Sequence, residues 1–255
     1  MKGRGLFLIC GEAFREGVTN TRLRDTEYGY NNQKESSLSQ NKLIEKLTND
    51  GWIIDVGLHT YKTIFENELL GWYKNIVFSS FNDFEEIVSE LIHNISRIPI
   101  GKAFNSLVKN VNLNDYDFLF ILRFDIFLKE GLIEIFDPNW SRIMYINAMS
   151  YWENTNLPHI SDPFVFIPKS FFFEKNDWKG LIPNSDRLLY HSAAAYLIRN
   201  CGISINDIGF MIKRTYPTNT QQEENPYFRL NGRSEGPVLT NYMLYDEEKQ
   251  EFTRP

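Results

Sequence analysis

The sequence predicts an α/β fold whose central sheet is mostly parallel and Rossmann-like, with helices on its faces. The first observation is the run Phe118–Leu122, in which five consecutive apolar residues are typical of a strand buried on both faces. The second is that apolar runs alternate with helical patterns through the first half of the chain. The third is that short apolar runs follow one another after Asp125, which predicts a mixed sheet with antiparallel additions.

The first half of the chain contains four predicted strands, each an apolar run that ends in polar or turn-forming residues. They are Leu6–Cys10, Trp52–Leu58, Ile76–Phe78 and Phe118–Leu122. Apolar residues at helical spacing predict two helices, one over residues 82–95 and one from Ile100 to Val111. This order of strands and helices is typical of a doubly wound α/β sheet.

The stretch from Glu16 to Gln40 is polar and has almost no periodic apolar residues. We therefore predict a long loop there, of a length that is usually functional or mobile. A short helix should follow it, capped by Ser37 or Ser39 and ending at the stop signal Asn49-Asp50-Gly51.

The second half, residues 129–255, is predicted to complete a single compact domain with the first, residues 1–128. Short apolar runs are predicted after Asp125, at 126–128 and then, within the second half, at 133–136, 143–146, 164–167 and 208–212, with a helix from Asp186 to Asn200. The polar tail after Thr215 is interpreted as a lid in which Arg229 and Arg233 close on phosphates, or as a solvated extension.

Composition narrows the class of protein. The 255 residues carry a formal charge of −6 and no basic cluster, which argues against nucleic acid as a partner. Cys10 and Cys201 have no zinc-type spacing, so we interpret them as buried free thiols in a reducing, cytoplasmic compartment. The apolar run Leu6–Cys10 is too short for a signal peptide or a membrane span. We expect a soluble protein, with peripheral contact to a membrane-borne substrate left open.

Arg123 and Asp125 come directly after the central strand. Ligands of open α/β sheets bind beyond the carboxyl ends of the strands, so this charged pair lies where chemistry is usually done. A carboxylate there can bind a hard divalent cation that in turn holds a diphosphate. The alternative is a salt bridge that only caps the strand.

Two other strand ends carry candidate binding residues. Gly11 follows the first strand and would let a ligand approach the backbone, and Arg15 would meet a phosphate, although an ordinary turn with a solvated arginine is the alternative. The second strand ends in His59 and Thr60, beside the same predicted site. We predict that Thr60 contacts the bound cofactor, and that His59 is either a ligand or base or a hydrogen-bonded structural histidine.

The second half carries two candidates. Asp162 stands in a polar loop before an apolar run and is a candidate base for deprotonating a hydroxyl, unless Ser161-Asp162-Pro163 serves only as a turn. His191 lies next to small residues in a predicted helix, where a metal-binding or phosphate-binding role is open.

Three segments together resemble GT-A-type glycosyltransferases. They are residues 8–15 (LICGEAFR), 117–125 (DFLFILRFD) and 161–164 (SDPF). The transferases that they resemble build surface polysaccharides in bacteria and glycans in some large DNA viruses, and include the WavE-like lipopolysaccharide-synthesis transferases.

The resemblance implies a hexosyl- or pentosyltransferase with a nucleoside-diphosphate sugar as donor and a glycan as acceptor. Residues 1–128 would bind the donor, through Gly11 and Arg15, and residues 129–255 the acceptor. Asp125 would take the place of the last carboxylate of the metal-binding D-x-D motif and hold Mn²⁺ or Mg²⁺. Arg123 replaces the first carboxylate of that motif, so it would itself neutralise the diphosphate. Asp162 would be the base in an inverting displacement.

Two other functions fit the same sequence. A nucleotide-dependent enzyme that moves a phosphoryl or phosphoramidate group onto a sugar would share the sheet and the charged site. A carbohydrate-binding module would account for the many aromatic residues, 20 Phe, 13 Tyr and 5 Trp. The response to nucleotides and to free sugars discriminates between these functions.

Overall fold

A computed structural model describes residues 2–16, 23–83, 100–146, 148–151, 158–160, 164–173, 203–211, 226–230, 244–246 and 251–253. Its strands, in chain order, are β1 (Gly3–Cys10), β2 (Arg15–Glu16), β3 (Leu23–Arg24), β4 (Trp52–Tyr61), β5 (Ile76–Asn82), β6 (Phe118–Arg123), β7 (Ile126–Leu128), β8 (Ile143–Tyr145), β9 (Ala148–Tyr151), β10 (Pro158–Ile160), β11 (Phe164–Pro168), β12 (Ile208–Phe210), β13 (Phe228–Leu230), β14 (Leu244–Asp246) and β15 (Glu251–Thr253). Its helices are α1 (Glu27–Asn49), α2 (Glu66–Trp72), α3 (Ile100–Asn110), α4 (Glu130–Ile135) and α5 (Ser170–Phe173).

A seven-stranded sheet organises the fold, with the order β12-β8-β11-β6-β1-β4-β5. The strands β1, β4, β5 and β6 are mutually parallel, and β11 runs antiparallel to both β6 and β8. The predicted α/β fold, with a mostly parallel sheet and an antiparallel addition in the second half, is confirmed. Strands from both halves of the chain share this one sheet.

The core lies on both faces of the central strands. All residues from Phe118 to Leu122 are at most 4% exposed, as the unbroken apolar run predicted. Aromatic rings fill one face: Phe7 lies edge-on to Phe120 with 5.2 Å between ring centroids, and Phe136 packs against the same ring at 4.9 Å. Each fully buried aromatic side chain contributes a few kcal/mol of burial free energy, so the core fixes the position of β6 firmly.

The prediction of a long loop over residues 16–40 is wrong for most of that range, because helix α1 begins at Glu27. Thr26 caps this helix, and its side-chain oxygen accepts a hydrogen bond from the backbone N–H of Gly29 at 3.0 Å. The first turns have no apolar stripe because their buried face is polar and consists of Gln33, Ser36, Ser37, Ser39 and Gln40. The helix ends at Asn49, as the Asn49-Asp50-Gly51 signal predicted.

The apolar run Ile133–Phe136, predicted as part of the mixed sheet, lies largely in helix α4. Leu132 and Phe136, four residues apart, are both buried, which is the spacing of one helical face. A short apolar run does not distinguish a strand from a buried helix, and this one packs as a helix. The helices predicted over residues 82–95 and 186–200 lie outside the described residues, while the helix predicted from Ile100 is confirmed as α3.

A segment from the end of the chain pairs with β7. β13 runs antiparallel to β7, with Arg229 opposite Phe127. The Arg229 guanidinium lies 4.3 Å from the centroid of the Phe127 ring, and its Nη2 is 2.6 Å from a carboxylate oxygen of Glu35 in α1. Arg229, predicted to lie in a lid or in a solvated extension, attaches this segment to β7 and α1. Arg233 lies outside the described residues.

No helix in the described ranges combines the length and the apolar character that crossing a bilayer requires.

Candidate functional site

The carboxyl ends of β1 and β6 meet at one edge of the sheet. Cys10 at the end of β1 is paired in register with Arg123 at the end of β6 and with His59 in β4. The strand order reverses here, because β4 and β5 lie on one side of β1 and β6 lies on the other. Ligands of open α/β sheets bind at such a switch point, so the residues that follow β1 and β6 form the candidate site.

Gly11 turns the chain at the end of β1. Its φ is +115°, a value that favours glycine, and its N–H donates to the carbonyl oxygen of His59 at 3.1 Å. A Cβ at this position would meet no atom within 4 Å. Backbone conformation rather than lack of space therefore requires glycine, and the open space leaves the main chain accessible.

Replacing Gly11 with alanine should lower the free energy of unfolding by about 1–3 kcal/mol, the usual cost of an unfavourable backbone conformation. Urea unfolding measures it. The matched control is Gly71→Ala in α2, where an added Cβ also meets nothing within 4 Å and helix propensity should raise stability by about 1 kcal/mol. A change of the same sign and size at both positions would contradict the backbone argument.

Four charged side chains form a network beside Gly11. Arg123 donates to both oxygens of Asp125, from Nε at 2.9 Å and from Nη2 at 2.5 Å. Arg15 Nη1 lies 4.0 Å from Asp125 Oδ2 and 3.4 Å from Glu12 Oε2. Glu12, Arg15 and Asp125 are each at most 9% exposed. The two guanidinium groups stay charged at any relevant pH, and the two carboxylates compensate them in a poorly solvated place.

A small cleft opens onto this network. Its free volume of about 10 Å³ is room for about one water molecule. A cleft of this volume is too small to enclose a phosphate group in the arrangement that the structure shows. The lining residues come from the loop after β1, the first turns of α1 and the turn after β6: Glu12, Arg15, Gly29, Asn32, Gln33 and Asp125.

Thr60 and His59 are buried residues near the end of β4, next to the loop that follows β1. The Thr60 hydroxyl oxygen accepts a hydrogen bond from the N–H of Ala13 at 3.1 Å, so the end of β4 supports the loop that leads to Arg15. Thr60 is 1% exposed and His59 is 2% exposed. The His59 Nε2 is 3.2 Å from the side-chain nitrogen of Asn82. A contact between Thr60 and a bound cofactor stays a prediction.

Cys10, the residue of β1 that is paired in register with His59 and Arg123, carries a fully buried thiol. Burial raises its pKa to about 12, although the guanidinium of Arg123 acts in the opposite direction. The thiol is therefore protonated at neutral pH, which makes it a poor nucleophile. Cys201 lies outside the described residues.

The described residues do not fit a divalent cation. Both oxygens of Asp125 are engaged by Arg123, with Arg15 next to them. Nowhere in the described part of the chain do three His, Cys, Asp or Glu side chains gather closely enough to hold a metal ion. His191, the other predicted ligand, lies outside that part. Metal ligation by Asp125 stays a prediction.

The structure brings Gly11, Arg15, Arg123 and Asp125 together at one edge of the sheet, and their roles in binding stay predictions. Asp162 lies outside the described residues. Sequence reasoning missed Glu12 and two glutamines of α1, Gln33 and Gln40, which contact the loops of the site. A signal for the glutamines exists: Gln33, Ser36, Ser37 and Gln40 repeat at i, i+3, i+4 and i+7, a helical face made of uncharged polar residues.

Fold and site together define an α/β protein with a Rossmann-like half and a charged, partly closed site at its switch point. No family model and no curated protein matches the chain. Among solved structures, CTP:phosphocholine cytidylyltransferase LicC from Streptococcus pneumoniae is similar, with 11% identity, a TM-score of 0.42, and 96% of this chain and 93% of that chain covered. The galactosyltransferase LgtC, solved with donor and acceptor sugar analogues, has 12% identity, a TM-score of 0.39 and coverages of 81% and 72%. These values are too low to transfer either activity.

Proposed function

We propose that this protein is a glycosyltransferase that moves a sugar from a nucleoside-diphosphate donor to a hydroxyl group of a glycan or polysaccharide acceptor. The observation that carries the proposal is the pair of guanidinium groups, Arg15 and Arg123, held at the switch point between β1 and β6. The WavE-like resemblance, the cytoplasmic location and the division into a donor half (1–128) and an acceptor half (129–255) belong to the same proposal.

The guanidinium groups supply positive charge, which stabilises the negative charge that develops on the leaving group. When the bond between the anomeric carbon and the phosphate oxygen breaks, the electron pair stays on the nucleoside diphosphate. Guanidinium groups match phosphate oxygens geometrically and form charge-assisted, often bidentate hydrogen bonds with them. Arg123 stands where the resemblance places the first carboxylate of a D-x-D motif, so a positive side chain faces the diphosphate instead of a metal ligand.

The position of β11 supports the proposal that a residue in the segment before this strand acts as the base. Phe164, the first residue of β11, is paired in register with Leu122, one residue before Arg123. The chain therefore enters β11 at the edge where the charged network lies, and Asp162 stands two residues before that entry in the sequence. In the proposed displacement the acceptor oxygen bonds to the anomeric carbon, and its proton goes to the Asp162 carboxylate.

Binding of nucleotides tests the proposal most directly. We expect at least one of UDP, GDP, CDP and dTDP to raise the melting temperature, since a ligand at 100 times its Kd stabilises the folded state by about 2.7 kcal/mol. Because the charge comes from arginines, the shift in EDTA should equal the shift in Mn²⁺. Product analysis with the matching nucleotide sugar then identifies the transferred group.

Three other outcomes of these experiments would revise or end the proposal. A shift that requires Mn²⁺ would assign Asp125 to a metal site and contradict the arginine mechanism. Transfer of a phosphoryl group in place of a sugar would replace glycosyl transfer with the phosphoryl-transfer alternative. A response to free sugars without any response to nucleotides would indicate a carbohydrate-binding module and end the proposal.

A further inference from the structure

We propose that Gln40, together with Gln33, is a positioning residue of the nucleotide site, because the side-chain amides of these two α1 residues fix the backbone that carries Arg123 and Asp125. The inference rests on the proposed function for its ligand, a nucleoside diphosphate. Its structural part, the fixing of the turn between β6 and β7, can be tested without any ligand.

The amides bind carbonyl oxygens along the turn. Gln40 Nε2 donates to the carbonyl oxygens of Arg123 at 3.2 Å and of Ile126 at 2.9 Å. Gln33 Nε2 donates to the carbonyl oxygen of Phe124 at 3.1 Å. Two buried side chains thus bind three carbonyl groups of the turn that connects β6 to β7.

The Gln40 amide is held in one orientation. Its Oε1 accepts a hydrogen bond from the Tyr73 hydroxyl at 2.7 Å, which leaves Nε2 to face the turn. Gln40 is fully buried, and burial raises the pKa of Tyr73, so the hydroxyl remains a donor. An amide flip would place an oxygen against two carbonyl oxygens, which strongly disfavours it.

Gln33 links the two segments that contribute the arginines. Its Oε1 accepts from the N–H of Phe14 at 3.4 Å, while its Nε2 donates to Phe124. Phe14 precedes Arg15, and Phe124 lies between Arg123 and Asp125. One side chain from a 23-residue helix therefore bonds to both backbone segments that carry the two guanidinium groups. Sites supported in this way are preorganised, and a misplacement of about 1 Å can reduce function about 100-fold.

Gln40→Leu tests the proposal, with Asn41→Leu as its matched control. Asn41 is the next residue of the same helix, and its Nδ2 donates to the carbonyl oxygen of Trp72 at 2.8 Å, away from the turn. Both variants lose an interelement amide bond, so both should have a lower melting temperature. Only Gln40→Leu should weaken binding of whichever of UDP, GDP, CDP and dTDP the wild type binds, by about 10-fold to 100-fold in calorimetry.

Hydrogen exchange supplies the readout that a general loss of stability would not produce. In Gln40→Leu the amides of residues 123–128 should exchange at least about tenfold faster, while β4 and β1 exchange as in Asn41→Leu. Unchanged exchange in this turn, or equal losses of affinity in the two variants, would overturn the proposal. If Gln40→Leu does not fold, Gln33→Met releases the bonds of Gln33 to Phe124, Phe14 and Ser37, leaves the Gln40 bonds in place, and is judged by the same two readouts. If the wild type binds none of the four nucleotides, the proposed function fails, and exchange alone decides whether the amides fix the turn.

Discussion

Asp125→Ala is expected to lower the free energy of unfolding by about 3–5 kcal/mol, the usual cost of removing one partner from a buried ion pair. The variant leaves Arg123 and Arg15 without the carboxylate that lies between them, and Glu12 remains beside Arg15. Desolvated guanidinium groups cannot lose their charge, so the cost appears as instability. Urea unfolding measures it directly.

The control for this prediction is an exposed ion pair. Lys42 Nζ lies 3.2 Å from Glu130 Oε1 with both side chains more than half exposed, so Glu130→Ala should cost no more than about 1 kcal/mol. The double variant Arg123→Met, Asp125→Leu should recover most of the stability lost in Asp125→Ala, because an apolar pair carries no desolvation cost. The double variant should not bind the nucleotide, because it lacks the Arg123 guanidinium group that the proposed function requires. Equal costs for Asp125→Ala and Glu130→Ala would mean that the network is not an energetically coupled unit.

Asp162→Asn should reduce the turnover rate by about 10²-fold to 10⁴-fold, the contribution of a positioned general base, while nucleotide affinity stays at the wild-type value. Asparagine has the shape of aspartate but cannot accept the proton of the acceptor hydroxyl. Initial rates with the nucleotide sugar identified by the binding experiment, together with Kd values for the nucleotide, separate the two effects.

The matched control is Asp117→Asn. Asp117 precedes β6 at the opposite edge of the sheet, where its Oδ2 accepts a hydrogen bond from the N–H of Arg4 at 2.8 Å, so its neutralisation should leave the turnover rate unchanged. If Asp162→Asn retains a rate within about threefold of the wild type, proton transfer in this reaction is carried by another group.

The fold was predictable where hydrophobic pattern decides structure. Phe118–Leu122 is apolar without interruption because β6 is covered on both faces, and the parallel sheet follows from it. The first half of helix α1 was not predictable from that pattern, because Gln33 and Gln40 occupy the face that apolar residues usually fill. The side-chain amides of Gln33 and Gln40 donate to backbone carbonyls more than 80 residues away, a pairing that local sequence does not contain.

The candidate site, like the fold, was predictable only in part. Arg15, Arg123 and Asp125 follow strands that become neighbours, so strand order alone brings them to one edge. The sequence predicts an ion pair of Arg123 with Asp125 only as a strand cap, and it does not show that Arg15 and Glu12 extend this pair into a network. That extension depends on the positive φ values of Gly11 and Phe14, which fold the loop back onto the edge.

The pairing of β13 with β7 affects the order in which parts of the protein can fold during synthesis. β7 begins one residue after Asp125, yet its partner strand lies about 100 residues further along the chain. A ribosome must therefore extend the polypeptide past Leu230 before this strand and the Glu35–Arg229 contact can form. The parallel strands β1, β4, β5 and β6 are available much earlier, so a nascent chain can acquire its scaffold well before the surroundings of Arg123 are complete.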